Sequence, residues 1–337
     1  MREKIVLGLS GGVDSAVSAA LLRDAGYEVH GLYLDLGLGG KADAVRAADD
    51  LGIPLTVRDI RPELEKAVCA PFAEGYLRGE TPSPCILCNP SVKFPSLFRL
   101  AKELGAEKVA TGHYARCENG ALYQGKSAND QSYMLSRLTL EQLKRCVFPL
   151  GGMEKTEIRK KAEELGLSVA HKADSMEICF IPDGDYAAFI ESRGTVPPPG
   201  DFIAPDGAVL GRHKGIHHYT LGQRRGLNIA LGRRVFVSAI DPINNTVTLS
   251  DDDDLYVTQA RAKNANWLIT PPPDGFDCRV RVRHSRVSAP ARIVPDGDGF
   301  VIHFAEPTRA PTPGQAAVGY IGEQVVCSGW LLREDTP

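Results

Sequence analysis

The stretch Ile5-Val-Leu-Gly-Leu-Ser-Gly-Gly-Val-Asp-Ser15 decides how the rest of this chain is read. Its apolar run has the length and composition of a buried strand and stops at Ser10. Gly11 and Gly12 permit a tight turn and close approach of a ligand, and an amphipathic helix is expected from Asp14 through Leu22. Strand, glycine turn and helix start together aim backbone N–H groups and the positive end of a helix at one point, which suits a phosphate. A Walker loop would place Lys before the Ser or Thr. Here Asp14 precedes Ser15, so the common nucleotide-triphosphatase loop is excluded. The plain alternative is an ordinary strand-to-helix turn. Gly8, Leu9, Ser10, Gly11, Gly12, Val13, Asp14 and Ser15 are the candidate phosphate contacts.

Outward from this turn, strand candidates Val29–Leu34, Leu55–Asp59 and Lys108–Thr111 alternate with helical stretches such as Lys41–Leu51 and Ser91–Leu104. That alternation predicts a doubly wound, mainly parallel α/β sheet over 1–205. Ligands of such sheets bind beyond the carboxyl ends of the strands. Leu34, at the end of a strand, and Gly112, in Thr111-Gly-His-Tyr114, therefore join the candidate nucleotide contacts. Pro197-Pro-Pro-Gly200 punctuates the end of this zone. Short strands and glycines over 206–260 suggest a small linking domain, and alternating runs such as Arg279-Val-Arg-Val-Arg283 over 261–337 suggest an antiparallel β-barrel.

The 337 residues, 43% hydrophobic and 24% charged, have the composition of a soluble globular protein; no apolar run approaches a membrane span, and a cytoplasmic location is expected. Eight scattered cysteines do not make a disulfide framework. The exception in spacing is Thr81-Pro-Ser-Pro-Cys-Ile-Leu-Cys-Asn89, a Cys-x-x-Cys braced by prolines and expected in a loop. Cys85 and Cys88 could form a zinc knuckle, a redox pair, part of an iron–sulfur ligand set or a sulfur-carrying nucleophile, although a second pair at knuckle spacing is lacking. Cys179, in Asp174-Ser-Met-Glu-Ile-Cys-Phe-Ile181, is either a third member of that set or a small core residue.

The net charge of −3 gives no global sign of a nucleic-acid partner, but charge is local. Between 206 and 249, six arginines and lysines face two aspartates, a net +4. Arg279, Arg281 and Arg283 alternate on one strand face, with Arg286 just beyond. Phosphates would favour both surfaces, whereas the plain reading is a solvated face.

The Ser10–Ser15 turn resembles the pyrophosphate loop of N-type ATP pyrophosphatases, which split ATP into AMP and pyrophosphate. With Val92-Lys-Phe94, Ala110-Thr-Gly-His-Tyr-Ala-Arg116, Asp130-Gln-Ser-Tyr-Met-Leu135, Gly211–Leu227, Asn266-Trp267 and Pro313-Gly-Gln-Ala-Ala317, the chain resembles the tRNA-specific 2-thiouridylases nearly end to end. That resemblance implies an ATP-dependent catalytic domain, a linking domain and a β-barrel that helps grip tRNA. It implies thiolation of the wobble uridine, with AMP transferred to the C2 oxygen to make it a leaving group and sulfur then attacking C2. The tRNAs would be those accepting Lys, Glu and Gln. By the same resemblance Cys88 is the nucleophile, Cys179 the persulfide carrier, the two closing a transient disulfide, and Asp14 a ligand of Mg2+. His113, Asn129, Asp130, Gln131, Arg224, Arg225, Arg281, Arg283, His284 and Gln315 fall at or near tRNA-contact positions.

Several departures qualify the match. Cys85 replaces the aspartate of the best-known branch, and the set Cys85, Cys88 and Cys179 resembles a branch proposed to hold a [4Fe-4S] cluster with one open iron. Ser83, Asn129 and His284 also depart from the usual residues. Sequence does not decide between persulfide and cluster routes, or between a cysteine desulfurase, a sulfur-relay protein and free sulfide as donor. Rival readings are another adenylating enzyme acting on a small molecule and a non-catalytic RNA-binding iron–sulfur protein.

Overall fold

The computed structural model describes residues 2–172, 178–285 and 287–333. Asp174–Glu177 of the Cys179 motif and Arg286 lie outside the described residues. Its contacts cluster into two units: Met1–Val68, Cys85–Phe180 and Gly322–Val326 form one, and Cys69–Pro84, Ile181–Ile321 and Cys327–Pro337 the other.

The first unit is built on a parallel sheet. Strands β1 (Lys4–Gly8), β2 (Glu28–Asp35), β3 (Leu55–Asp59) and β4 (Lys108–Ala110), with Cys146–Val147 at the edge, lie in the order β3-β2-β1-β4 and then 146–147. β1 pairs parallel with β2 on one side and β4 on the other. Ile5, Val6 and Leu7 are fully buried because helices cover both faces, which is why this strand reads as a continuous apolar run rather than an alternating one. Helix α1 (Val13–Asp24) and helix α2 (Lys41–Leu51) follow β1 and β2, and α1 buries Val13, Ala16, Val17, Ala20 and Leu22 in the same core as Ile5 and Leu7. The order of strand addition reverses between β1 and β4, so the turn after β1 and the Thr111–His113 segment after β4 share one crevice.

The second unit contains two β structures. Four strands, in the order Phe236–Asp241, Thr246–Ser250, Gly200–Ile203, Val209–His213, enclose Phe202, Ile216, Tyr219, Val237 and Leu249. Position 206 falls between Gly200–Ile203 and its partner Val209–His213, because the strand begins directly after the proline run. Beyond it, six strands run in the order Tyr256–Trp267, Gly299–Arg309, Ala289–Asp296, Phe276–Arg281, Ala316–Ile321, Gln324–Leu331. Pairing of Ala262 with Leu331 and of Trp267 with Cys327 closes them into a barrel. The doubly wound sheet, small linking domain and C-terminal barrel expected from the sequence are all present. No described helix is long and apolar enough to cross a membrane.

Candidate active site and nucleic-acid surfaces

The turn after β1 takes its shape from three glycines. Gly11 has φ +74, and a Cβ there would lie 2.5 Å from the backbone nitrogen of Ala44, so both conformation and space require glycine. Gly12 caps α1 without a side-chain hydrogen bond, leaving the first-turn N–H groups to a ligand. At Gly112 a Cβ would sit 3.1 Å from the carbonyl carbon of Asp14, so this glycine lets the segment after β4 lie against the helix start. Ser15 ties the turn together: its hydroxyl donates to Gly12 O at 3.0 Å and accepts from Ser10 N at 3.2 Å. Gly8, Leu9, Val13 and Leu34 are apolar walls here, with Leu9 and Val13 buried and Gly8 and Leu34 half-buried.

Asp14 is held at one oxygen. Tyr114 Oη donates to Oδ1 at 2.7 Å, and Lys155 Nζ reaches the same atom at 2.7 Å. Oδ2 accepts from none of the described residues, and a carboxylate oxygen of this kind suits a hard cation. Lys172 Nζ donates to Gly11 O at 3.2 Å and pairs with Asp43, whose carboxyl is lowered chiefly by that hydrogen bond. The turn is therefore ringed by two ammonium groups, a setting that suits the several negative charges of a nucleotide triphosphate.

Gln131 braces this arrangement from behind. Its side chain accepts from Tyr114 N at 3.0 Å, and its backbone N–H donates to Tyr114 O at 2.8 Å. Asp130 is buried and accepts from Gly125 N, Ser132 N and Ser132 Oγ, which pins the loop, while Asn129 is exposed beside it.

The Cys-x-x-Cys lies in a helix, not a loop: Pro84–Cys88 is one helical turn, continued by a wide turn over Asn89–Lys93 and then by Phe94–Leu104. Pro84 starts the turn because its missing N–H costs nothing at a first helical position. Cys85 and Cys179 are exposed and Cys88 is half-buried. The three thiols feel one another. Cys179 is pushed up to about 11, first by the protein packed around it and then by negative charge at Cys88 and Cys85. Cys88 is raised by burial and by Cys85, with Lys93 opposing. Such coupling requires the sulfurs to be near one another, although Cys179 is far from the pair in sequence. The direction is the reverse of the lowered value that a ready thiolate needs. Lys93 is the cation that Cys88, Cys179 and His113 all face. His113 is buried, bonds Thr111 Oγ1 at 2.7 Å and stacks on Phe94, and burial with Lys93 holds it well below the usual imidazole range.

In the second unit, Arg224 lines a surface cavity of about 370 Å³ with Arg233 and Arg234, and Arg225 is exposed beside it. The strand arginines are not equivalent. Arg279 is exposed and bonded to Ser288, and Arg283 is exposed, whereas Arg281 is 5% exposed with its guanidinium 4.6 Å from the Tyr320 ring centre. His284 is exposed. Gln315 Nε2 donates to Thr81 O at 2.6 Å, and Thr81 N donates to Pro313 O at 2.8 Å, so Gln315 ties two loops together.

Lys155 and Lys172 belong to these sites but carry no mark in the sequence, whereas Lys93 lies in the Val92-Lys-Phe94 motif without a role having been read for it. Only the pairing of Lys155 with Asp14 in space distinguishes it.

Family models match almost the whole chain: a tRNA methyl transferase HUP domain over residues 3–183, a tRNA methyl transferase PRC-barrel domain over 187–251 and an aminomethyltransferase beta-barrel domain over 257–331. The chain is 43% identical to the tRNA-specific 2-thiouridylase MnmA of Heliobacterium modesticaldum, covering 99% of this chain and 93% of that protein. It is 43% identical to that of Syntrophotalea carbinolica, covering 98% and 100%. With a matched catalytic fold, a nucleotide-type glycine turn and near-complete alignment to these relatives, the chain belongs to the tRNA-specific 2-thiouridylase family.

Proposed function

We propose that this protein is a tRNA-uridine 2-sulfurtransferase acting at the wobble position of tRNAs that accept Lys, Glu and Gln. The observation that carries the reading is Asp14 at the head of the glycine turn, with Lys155 on one of its oxygens and Lys172 at Gly11. The C2 oxygen of the uridine attacks the α-phosphorus of ATP, the bond to pyrophosphate breaks, and the adenylated oxygen becomes a leaving group. Lys155 and Lys172 balance charge on the departing pyrophosphate, and the N–H groups of the Gly11–Asp14 turn orient it. Asp14 would hold a Mg2+ ion, since a carboxylate oxygen suits a hard cation, and the ion would supply neutralisation of phosphate charge. An unpaired anticodon base is cheap to splay into the crevice.

Sulfur transfer is assigned to Cys88 and Cys179. The terminal sulfur of a Cys179 persulfide bonds to C2 as AMP leaves with the C2–O electrons. The Cys88 thiolate then attacks the inner sulfur, which frees the 2-thiouridine and closes a Cys88–Cys179 disulfide. Two electrons from an external thiol reopen it, and a cysteine desulfurase or sulfur-relay protein renews the persulfide. Because both thiols are raised, ionisation of Cys88 depends on Lys93, the cation that opposes the shift.

Cys85 favours a second route. Thiolates are the donors a [4Fe-4S] cluster takes, and Cys85, Cys88 and Cys179 would hold one with an open iron, which would supply a site for free sulfide. The test is anaerobic thiolation of purified tRNA, with iron and sulfide counted per chain and each cysteine changed to Ala. Activity that survives loss of Cys85 but not of Cys88 or Cys179 supports the persulfide route. Loss with all three, and a bound cluster, supports the other. ATP cleavage to ADP and orthophosphate would overturn the reading as a whole.

A further inference from the structure

Two adjacent histidines in the second unit converge on one carboxylate. Ile216–His218 is a single tight helical turn, and Glu191 ends the helix Tyr186–Glu191. Nε2 of His217 lies 3.2 Å and Nε2 of His218 lies 3.1 Å from the same Oε1 of Glu191. The three donor atoms all lie within 4.8 Å of one another. Neighbouring side chains on so tight a turn ordinarily diverge by about a third of a turn. Here the two rings sit 4.3 Å apart, centre to centre, with both ring nitrogens on one target.

The separations have the size a tetrahedral cation sets. Bonds of about 2.0–2.1 Å to imidazole nitrogen and carboxylate oxygen place neighbouring ligand atoms roughly 3.3 Å apart. From this geometry we infer that Glu191, His217 and His218 form a binding site for one first-row divalent cation of the zinc type, with the fourth position open to water.

The surroundings favour that use. The His217 side chain is 1% exposed, while those of His218 and Glu191 are 24% and 45% exposed, so protein closes one side and solvent reaches the other. Tyr186 Oη donates to His218 O at 3.0 Å, and the Tyr186 ring stacks on Tyr76, which fixes the backbone carrying the pair. Without the ion, His217 donates Nε2–H to Glu191 Oε1; ligation through Nε2 places the ring proton on Nδ1 instead. Nδ1 of His217 is buried with no partner among the described residues. Metal-bound imidazoles usually tie that nitrogen to an acceptor, and its lack weakens binding about 10- to 100-fold, so moderate rather than tight affinity is expected.

The test is titration of the chelator-stripped full chain with Co2+ under reducing, anaerobic conditions, followed by Zn2+ competition. Imidazole–carboxylate coordination gives tetrahedral visible bands without the thiolate charge-transfer absorption that the cysteine set would produce. One such ion per chain is expected, with affinity weakened more than about tenfold in His218→Ala and in Glu191→Gln. His218 and Glu191 are partly exposed, so both variants should fold, as circular dichroism would verify. Zn2+ should raise the melting temperature of the wild type and of Cys85→Ser/Cys88→Ser/Cys179→Ser, but not of His218→Ala. Visible bands unchanged in both His218→Ala and Glu191→Gln, or only thiolate-type absorption lost with the cysteines, would overturn the assignment.

Discussion

The Tyr114 hydroxyl donates to Oδ1 of Asp14 across a gap of 2.7 Å, joining the segment after β4 to the head of the glycine turn. A hydrogen bond to a charged group contributes about 1.5–3 kcal/mol when shielded, and less here because Asp14 is partly exposed. Tyr114→Phe removes the hydroxyl and keeps the buried ring. Pyrophosphate release should fall about tenfold with little change in melting temperature. Asp14→Asn should cost on the order of a hundredfold or more in thiolation while tRNA binding persists. Full activity in Asp14→Asn would remove this residue from the chemistry.

Gly11→Ala should abolish ATP turnover. The added methyl meets the Ala44 backbone at 2.5 Å, and left-handed backbone costs about 1–2 kcal/mol for a residue with a Cβ. The turn then opens rather than the sheet unfolding. A variant that melts normally but no longer binds ATP, by calorimetry, is the expected result.

Arginines of the second unit should separate into two behaviours. Replacing exposed Arg224 or Arg225 with Ala should weaken tRNA binding and lower the log–log salt slope by about one per lost phosphate contact. Arg281→Ala acts on folding instead. Burial against Tyr320 predicts about 1–3 kcal/mol of lost stability, with the salt slope unchanged. Binding isotherms over a salt series, paired with thermal melts, separate the two.

Cys179 carries a pH signature. Its thiol is raised from an ordinary 9.0 to about 11, so the folded protein holds this proton more tightly than the unfolded chain. The stabilisation is complete below pH 9 and is lost as pH rises toward 11. At neutral pH its thiolate fraction is about a hundredfold below that of a free cysteine. Alkylation of a variant keeping only Cys179 should be correspondingly slow and should accelerate through that window. A rate equal to that of a free thiol at neutral pH would contradict it.

Much of the catalytic fold is legible in the sequence because local and long-range signals agree there. β1 is apolar on both faces, the turn is all glycine and small polar residues, and the helix starts at once. The helix over Pro84–Cys88 is not legible, since two prolines in four residues ordinarily mark a loop and only tertiary packing continues the turn into Phe94–Leu104. Burial of Arg281 is hidden for a related reason. Alternation places Arg279 and Arg281 on one strand face, and register sets Arg279 opposite Tyr320 and Arg281 opposite Val318, but the Tyr320 ring lies diagonally against the Arg281 guanidinium and covers that one. Lys155 and Lys172 are invisible for want of any local pattern, because their partners lie 141 and 161 residues away.

Pairing of Ala262 with Leu331 at the barrel seam has a consequence for handling the protein. Once Tyr256–Trp267 and Gln324–Leu331 are zipped together, that seam leaves no ladder of unpaired amides and carbonyls between them to template another chain. The barrel can therefore carry exposed arginines and sit beside a polyanion at high local concentration without recruiting its own copies edge to edge. Substitutions that loosen the seam, rather than those that remove surface charge, are the ones expected to turn this protein into fibrils.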